Sequence, residues 1–426
     1  MYTYQARDFI LIFFVFIYTL THTYILPMIS KNTICLIHDM FLYRGWAERF
    51  NIMLANSLGA DLAALFFSID GLDPKSMGFI GKMIPFGTNE TRLWKGFRQI
   101  YLKYRVLFHT RFLSDYDTVI FSNDSLSAIR NARKDARKIY YAHSLPRYLF
   151  EEREFYYQKV PFFLRPIYVL IRAIFEIMYR HELGQVDQIY TNSTNLQMAI
   201  KTYLGRESEI IHPPVDTKAF IPTPHPNLTI TKTPHPNLTI TKTPHPNPLL
   251  EGEGVMGENY YISFSKLSSL KRVARTVEAF RDMPDTKLLV IYGKNDPQKD
   301  EIIKIAEWCP NITFLTLSNN NDLPQYISAA LATIFIAQNE DFGMVALESM
   351  ACGVPVIGVD EWGIKETVIH QKTGFLISKE ATKIELIEAV RHLDRETALT
   401  MKDNCIKRAH EFSLENFETI VKEKFL

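Results

Sequence analysis

The chain lacks the residue patterns of several common protein classes. Its 426 residues include only four cysteines, Cys35, Cys309, Cys352 and Cys405, and no C-x-x-C pair. Scattered single cysteines indicate neither a disulfide framework nor a zinc site, and they fit a reducing compartment best. An excess of one charge is also missing, because 48 Lys and Arg against 47 Asp and Glu leave a net charge of +1. That balance gives no general attraction for nucleic acid.

A hydrophobic run long enough to cross a bilayer is also missing. The most apolar segment, Phe9 to Leu20, is shorter than the ~20 residues that a spanning helix needs. Extending it to Ile29 reaches that length only by including Thr21, His22, Thr23 and Pro27. We therefore interpret residues 1–30 as an N-terminal apolar extension, with a membrane anchor or signal segment as the alternative.

Carboxylates at the spacing of metal ligands are scarce. The D-x-D sequence from Asp115 to Asp117 precedes a predicted strand instead of following it, so we interpret it as turn chemistry. No other carboxylate cluster has ligand spacing, and the sequence predicts no metal site.

Short apolar runs alternate with helical stretches along most of the chain, which predicts parallel sheets covered by helices. At this length two or three domains are expected. The helices predicted near the C-terminal domain's centre span 323–332 and 344–352. The predicted strands are 33–38, 62–69, 118–122, 138–142, 188–191, 260–265, 287–292, 312–315 and 332–337.

One stretch, Asn339 to Gly358, combines a strand end, an acidic loop, a helix and the next strand. Such a loop lies where open α/β sheets bind ligands. Gly343 allows backbone N–H groups at the helix N-terminus to approach an anion such as a pyrophosphate. Glu348, one turn inside the helix, can accept the hydroxyls of a ribose, while Glu340 faces what the phosphate carries. The alternative is that Glu340 and Asp341 are only helix N-terminal charges favoured by the dipole.

The stretch closely resembles the donor site of glycosyltransferase family 4. It carries Glu-Asp-Phe-Gly-x-x-x-x-Glu-x-Met-Ala-x-Gly-x-Pro-Val-Ile from Glu340 onward, followed by Gly363, Glu366 and the segment Lys372 to Leu376. Members of that family are retaining enzymes. The resemblance implies an α/β GT-B fold, with two Rossmann-like domains whose parallel sheets face each other across a cleft.

The resemblance also implies a role for single residues. Lys266 and Lys271, spaced like the family's Arg and Lys, would stabilise the departing diphosphate together with the backbone at Phe342, Gly343 and Met344. Glu348 would hold the ribose. Glu340 and His143 would position the sugar, so Glu340, His143 and Lys271 are the expected catalytic residues. Two further residues, Gly45 and Arg147, are expected to bind substrate.

Two tryptophans stand where the family carries glycine in ligand-facing loops. Trp46 follows Gly45, and Trp362 precedes Gly363. A bulky residue at such a position costs on the order of 1–3 kcal/mol of strain or displaces the ligand. We therefore expect Trp46→Gly, alone or with Trp362→Gly, to raise donor affinity. A catalytically impaired remnant is the alternative to an active enzyme.

A repeat interrupts the resemblance between its two halves. Thr223 to Lys232 recurs exactly at Thr233 to Lys242 and begins again at Thr243. Proline in every copy prevents a helix or a central strand, so residues 222–257 are interpreted as a disordered insert. The expected domains are an extension at 1–30, an acceptor-side domain at 31–217, a linker with insert at 218–257, a nucleotide-sugar domain at 258–400 and a closing helix at 401–426.

An aromatic, apolar stretch from Phe155 to Arg180 follows the basic residues Arg130 to Lys138. This composition suits peripheral contact with an anionic membrane, and partial burial against the domain is equally compatible. The resemblance is strongest to bacterial mannosyltransferases of surface polysaccharide synthesis. It implies transfer of a hexose from a nucleoside diphosphate sugar, GDP-mannose favoured, to a glycan or lipid-linked acceptor at the cytoplasmic face of the plasma membrane, without a cofactor. A soluble sugar-phosphate synthase of the same fold is the rival.

Overall fold

The computed structural model describes residues 33–42, 45–68, 72–88, 95–223, 229–230, 254–255, 259–317 and 319–426. The part from Thr33 onward forms one compact unit. Residues 1–30, expected to be an N-terminal apolar extension with an anchor as the alternative, lie outside the described residues.

The N-terminal domain contains a seven-stranded parallel sheet in the order β3-β2-β1-β4-β5-β6-β7. Buried side chains on both faces of its central strands form the two cores of this domain, as expected for a parallel sheet covered by helices. Its strands are β1 (Ile34–His38), β2 (Asp61–Ala64), β3 (Met83–Pro85), β4 (Thr118–Ser122), β5 (Arg137–Ala142), β6 (Gln188–Thr191) and β7 (Glu209–Ile210). Its helices are α1 (Trp46–Leu58), α2 (Lys95–Phe108), α3 (Arg153–Gln158), α4 (Arg165–Leu183) and α5 (Thr194–Leu204).

A second parallel sheet, of six strands in the order β12-β11-β10-β13-β14-β15, forms the C-terminal domain. The two-residue strands β8 (Thr229–Ile230) and β9 (Gly254–Val255) precede it and pair antiparallel within the insert. The sheet contains β10 (Tyr260–Ser263), β11 (Lys287–Ile291), β12 (Ile312–Leu315), β13 (Ala330–Phe335), β14 (Val356–Val359) and β15 (Gly374–Ile377). Its helices are α6 (Val273–Arg281), α7 (Lys299–Ile305), α8 (Leu323–Ser328), α9 (Met344–Ala351), α10 (Trp362–Thr367), α11 (Lys383–His392) and α12 (Arg395–His410).

Two Rossmann-like domains with parallel sheets confirm the predicted fold class, and several boundaries need correction. The predicted helix 323–332 ends at Ser328, because Ala330 and Ala332 pair with β10 as part of β13. The predicted strand 62–69 pairs regularly only to Ala64, after which the Leu65 amide bonds irregularly to the Asp39 carbonyl oxygen. Tertiary pairing overrides the local pattern in both places.

The last helix, α13 (Leu414–Phe425), returns to the N-terminal domain. Phe417, Val421 and Phe425 are buried in the core beside α1, and Arg137 donates hydrogen bonds to the carbonyl oxygens of residues at the helix end. The boundary expected at 401 falls inside α12, so the segment that crosses back is shorter than predicted. This helix ties the end of the chain to the first domain.

Candidate active site

The acidic loop connects β13 to α9 at the carboxyl edge of the second sheet. Gly343 precedes the helix with φ +87°, in the left-handed region that favours glycine, and no side chain caps the helix N-terminus. The first turn of α9 contains no acidic residue. Its unsatisfied N–H groups and the helix dipole together provide a place for an anion.

Lys271 and Glu340, two of the three expected catalytic residues, form an ion pair. The Lys271 ammonium also lies 5.3 Å from the centre of the Phe335 ring. About a quarter of each side chain is exposed, at 25% for the lysine and 23% for the glutamate. A diphosphate bound at this edge would therefore meet a lysine already held in place by a neighbouring carboxylate.

Glu348 lies on α9, partly buried between the two domains. Burial raises the pKa of this carboxyl to about 7, and the charge of Arg49 on α1 acts in the opposite direction. Arg49 belongs to the other domain, so Glu348 faces across the cleft. A buried carboxyl in a cleft with one cationic neighbour is a candidate functional group.

The remaining donor-side residues differ in how they can act. Lys266 is exposed just after β10. Phe342 is only 3% exposed, and its ring stacks on His212 with centroids 5.0 Å apart. Met344 is also buried. The side chains of Phe342 and Met344 are thus occupied by packing, which leaves their backbone for ligand contact, as the resemblance implied.

His143 follows β5 at the carboxyl edge of the first sheet. Its ring is enclosed by Tyr141, Phe50 and His38, with centroids 4.9, 5.0 and 6.4 Å away. Burial lowers the pKa of His143 well below its ordinary value, and His38 adds to the effect. The ring is therefore neutral near pH 7. Its Nε2 atom is buried without a hydrogen-bond partner.

Other polar groups surround this histidine at the ends of β1 and β4. The Ser122 hydroxyl contacts His38 Nδ1 and accepts from Asn51 Nδ2, each at 3.1 Å. Three oxygens on neighbouring elements are buried without a partner: Asp39 Oδ1 just after β1, Asn51 Oδ1 on α1 and Asn123 Oδ1 just after β4. Unsatisfied buried oxygens are costly, so their presence at a ligand-binding edge indicates a place for hydroxyl donors.

Arg147 connects the two edges directly. It donates from Nη2 to Asp341 Oδ2 and to the Asn339 carbonyl oxygen, both at 3.2 Å, and from Nη1 to Glu152 Oε1 at 3.3 Å. Burial raises the pKa of Asp341 to about 7, and Arg147 opposes this. The expected substrate-binding arginine is therefore committed to the acidic loop. Sequence reasoning did not assign Asp341 to the site, because its partner is almost two hundred residues away.

A second interdomain contact involves Glu366, whose position in the motif was recognised but whose partner was not. Its carboxylate accepts from the backbone amides of Thr194 and Asn195, at 3.0 and 3.2 Å, and from the Thr194 hydroxyl at 3.1 Å. An α10 side chain thus caps α5 in the other domain. Such a cap stabilises a helix by about 1 kcal/mol.

Gly363 fixes the acidic loop through a backbone contact. Its amide donates to the Glu340 carbonyl oxygen at 3.0 Å. A Cβ at this position would lie 2.5 Å from the Phe342 amide nitrogen, and closer still to Phe342 Cα and the Asp341 carbonyl oxygen. Only glycine allows this approach of the two backbones.

The two unusual tryptophans are accommodated differently. Trp46 is the first residue of α1, with Gly45 as N-cap, and it packs partly buried against the cores of both domains. The Glu48 carboxylate folds back against Gly45. Trp362 has φ +49°, so its backbone does adopt the conformation that a glycine favours. The expected gain in donor affinity on replacing them stays a prediction.

Among the residues that the structure describes, no group of three or more His, Cys, Asp or Glu side chains could hold a metal ion. In the D-x-D sequence, Asp115 ends a short 3-10 helix and Asp117 pairs with Arg133 at 2.7 Å. In the same described part of the chain, no helix combines the length and apolarity needed to cross a bilayer.

Comparison with known proteins finds similarity to glycosyltransferases. Residues 251–412 match the family model described as "Glycosyl transferases group 1". The curated relative N-acetyl-alpha-D-glucosaminyl L-malate synthase of Bacillus anthracis is 29% identical over 169 residues, 38% of this chain and 42% of the relative. The chain thus matches about two fifths of that relative's length. These matches support a glycosyltransferase domain in the C-terminal half.

Solved structures extend the similarity to both domains at the level of fold. The HepE protein of Anabaena, in complex with UDP and glucose, covers 92% of this chain and 98% of its own, with a TM-score of 0.64 and 18% identity. Sucrose-phosphate synthase of Thermosynechococcus elongatus covers 91% and 98%, with a TM-score of 0.66 and 16% identity. The GT-B arrangement predicted from sequence is therefore confirmed.

Proposed function

We propose that this chain transfers a hexosyl group from a nucleoside diphosphate sugar to a glycan or lipid-linked acceptor, with retention of anomeric configuration. Mannose from GDP-mannose is the favoured donor sugar on the strength of the sequence resemblance. Synthesis of surface polysaccharide at the cytoplasmic face of the plasma membrane is the favoured setting. Donor and acceptor are the substrates, and no cofactor is invoked.

The observation that carries the proposal is the contact between Arg147 and Asp341. It holds the carboxyl edge of the first sheet, with His143, against the acidic loop at the carboxyl edge of the second. Ligands of open α/β sheets bind outside such edges. A donor bound at one edge and an acceptor bound at the other would therefore meet between them.

On the donor side, positive potential is available without a cation. The uncapped N-terminus of α9 and the ammonium of Lys271 lie at the same edge, and Lys266 follows β10 nearby in sequence. Fixed dipoles and charges aimed at a leaving diphosphate stabilise its developing charge. In this proposal Glu348 accepts the ribose hydroxyls, and Glu340, next to Lys271, positions the transferred sugar.

On the acceptor side, His143 is neutral and has an unpartnered Nε2 atom. A neutral imidazole can accept a hydrogen bond from a hydroxyl or donate one, depending on its tautomer. The unpartnered oxygens of Asp39, Asn51 and Asn123 add acceptors for further hydroxyls. In this proposal His143 positions the transferred sugar, as the resemblance implied, and the unpartnered oxygens beside it suit the hydroxyls of the acceptor.

Membrane contact is proposed for α3, α4 and the turn between them. The exposed fractions of Phe162, Phe163, Leu170 and Ile177 are 79%, 59%, 62% and 68%. Such a concentration of exposed large apolar side chains marks an interaction surface. Basic groups lie on neighbouring rings, as with Lys159, whose ammonium is 3.8 Å from the centre of the Phe155 ring. This combination suits the interface of a bilayer that supplies a lipid-linked acceptor.

The test is a transfer assay with purified full-length protein, in which the anomeric configuration of the product is read by NMR. GDP-mannose, UDP-glucose and UDP-N-acetylglucosamine are offered with lipid-linked glycan acceptors and, separately, with soluble sugar phosphates. Retained configuration on a glycan acceptor supports the proposal. An inverted product, or transfer only to a soluble sugar phosphate, contradicts it.

A vesicle assay tests the membrane part by itself. The triple variant Phe162→Ser, Leu170→Ser and Ile177→Ser should lose sedimentation with vesicles that contain anionic phospholipid. Ile384→Ser is a matched control, because this residue is 68% exposed on the other domain. Equal sedimentation of wild type and triple variant would exclude this surface.

A further inference from the structure

An open groove of about 380 Å³ lies beside the acidic loop, outside the contact between Arg147 and Asp341. Its walls come from both domains: Glu151 and Glu152 before α3, Met198 and Tyr203 on α5, and Asn339 and Trp362 on the other side. None of these side chains belongs to the proposed donor contacts. The volume falls within the range of roughly 300–1,000 Å³ typical of small-molecule sites.

The groove is built from rigid parts. Glu366 caps α5 from α10, which fixes the two walls relative to each other. The Tyr203 ring is held against Phe150, with centroids 5.7 Å apart, and remains 39% exposed. Arg147 holds both Glu152 and the backbone of Asn339. A preformed site of this kind binds without first ordering its walls.

The backbone that lines the groove is strained at Trp362, which carries the second aromatic ring. Trp362 has φ +49°, and Asn339 has φ +51°. Asparagine tolerates this conformation, whereas tryptophan in it is uncommon. Strained backbone clusters at ligand-binding and active sites, and it also occurs elsewhere, as at Trp308. The strain at Trp362 therefore supports a ligand in the groove only together with the groove's geometry.

We infer that the groove binds a neutral oligosaccharide, the part of the acceptor glycan beyond the sugar that receives the hexose. The inference extends the proposed function. It rests on that function because only the proposed transfer reaction makes the bound glycan an acceptor. Trp362 and Tyr203 supply aromatic faces for the apolar faces of sugar rings, and each ring brings area with few rotatable bonds. Asn339 leads directly to Glu340, so a chain in this groove continues into the reaction site.

Charge decides between a neutral and an anionic glycan. Glu151 and Glu152 place two carboxyls side by side in the wall. Burial raises the pKa of Glu151, Arg147 acts in the opposite direction, and Glu152 adds to the increase. The guanidinium of Arg147 is already shared between Glu152 and Asp341. Carboxylates accept hydrogen bonds from sugar hydroxyls, whereas a uronate or phosphate would be repelled.

The test is calorimetric titration with neutral tri- and tetrasaccharides of glucose, mannose and galactose, without any donor. Trp362→Gly should weaken binding at least tenfold, and Trp362→Phe should retain most of it. The glycine variant removes the backbone strain, so it should melt no lower than wild type. Trp308→Gly is the matched control, since Trp308 also has positive φ, at +71°, and is 76% exposed. Its binding should equal that of wild type.

Outcomes separate this inference from the proposed function. Saccharide binding that depends on Trp362 supports the groove even if no donor is hydrolysed, in which case the proposed function alone fails. Three results would overturn the inference about the groove. They are unchanged binding in Trp362→Gly, no binding of any neutral saccharide, and tighter binding of uronate-containing chains. In the active enzyme, Trp362→Gly should raise KM for an oligosaccharide acceptor at least fivefold and leave KM for the matching monosaccharide within twofold.

Discussion

The carboxyl edges of the two sheets are built from opposite kinds of polar chemistry. At the second sheet the charged groups are partly exposed and paired, with Lys271 on Glu340 and Asp341 on Arg147. At the first sheet the groups are buried and close to neutral, with His143 and several oxygens lacking partners. Paired charges suit an ionic ligand such as a diphosphate, because a paired lysine can exchange its carboxylate partner for the ligand. Unpartnered neutral groups suit hydroxyls.

The largest effect is expected from a substitution that displaces the acidic loop at the carboxyl edge of the second sheet, called the charged edge below. Gly363→Ala should lower nucleotide binding and turnover at least a hundredfold, because a Cβ would push Asp341 and Phe342 away. Nucleotide titration and initial rates measure this. Gly184→Ala serves as control, because its Cβ would lie 3.2 Å from the nearest atom, a backbone carbonyl oxygen. Near-normal binding by Gly363→Ala would show that the loop is not positioned by this contact.

The second effect separates two carboxylates on the charged edge. Glu348→Ala should weaken binding of the free nucleoside diphosphate at least tenfold, because the ribose contact is lost. Glu340→Gln should leave that binding intact or tighten it, since Lys271 loses its competing partner, while turnover falls at least a hundredfold. Calorimetry and steady-state kinetics measure the two quantities. Equal losses of nucleotide affinity in both variants would contradict these roles.

The third effect is a pH dependence that sharpens the contrast between the edges. Asp341 and Glu348 have pKa values raised to about 7, so the folded protein keeps protons that the unfolded chain releases above about pH 4. Their contribution to the free energy of unfolding is therefore present at low pH and lost as pH rises through 7. His38 and His143, with lowered pKa values, act in the opposite direction below pH 6.5.

A comparison with a variant isolates the carboxyls from the histidines. Relative to wild type, the double variant Asp341→Asn and Glu348→Gln should gain stability from pH 5 to about pH 7 and level off above that pH. Melting temperatures across this range provide the measurement. Glu396→Gln, at an exposed surface position, is the control. A difference between double variant and wild type that does not vary with pH would refute the raised pKa values.

The smallest effect concerns Trp46, which contacts both domains. Trp46→Gly should raise donor affinity several-fold, as expected from the sequence, by opening the N-terminus of α1. It should also lower stability by roughly 1–3 kcal/mol, because a partly buried aromatic contact is lost and glycine disfavours helix. Donor titration and chemical denaturation measure the two effects. Loss of donor affinity would mean that the indole belongs to the donor site.

The two edges also differ in how far the sequence predicts them. The charged edge lies on one continuous motif, so the acidic loop, α9 and the neighbourhood of Glu340 were predictable from residues close in sequence. Lys271 was proposed only through the family resemblance, from its spacing to Lys266. The partners of Arg147 and Glu366 were not predictable, because each contact joins residues more than 150 positions apart. The strands β3 and β7, of three and two residues, were missed because they carry too few residues for a pattern. The four-residue strand β15 was also missed, because its residues were assigned only to the motif.

The neutral edge was predictable only at His143. The unpartnered oxygens near it lie on α1 and just after β1 and β4, elements that only the folded sheet brings together. The groove at Trp362 was not predictable from the sequence either. The sequence showed only that this tryptophan stands where the family carries glycine in a ligand-facing loop. Its neighbours on α5 could not be inferred without the relative placement of the domains. Long-range geometry therefore decides the acceptor side, and local sequence decides much of the donor side.

The central claim is that Lys271, Glu340 and the N-terminus of α9 form a nucleotide-sugar site. It is tested most directly by a donor-hydrolysis screen over GDP- and UDP-sugars, with release of nucleoside diphosphate measured for wild type, Glu340→Gln and Lys271→Ala. The account predicts release from at least one donor by wild type and at least a hundredfold less by both variants. No release from any donor, or release that survives both substitutions, would contradict it.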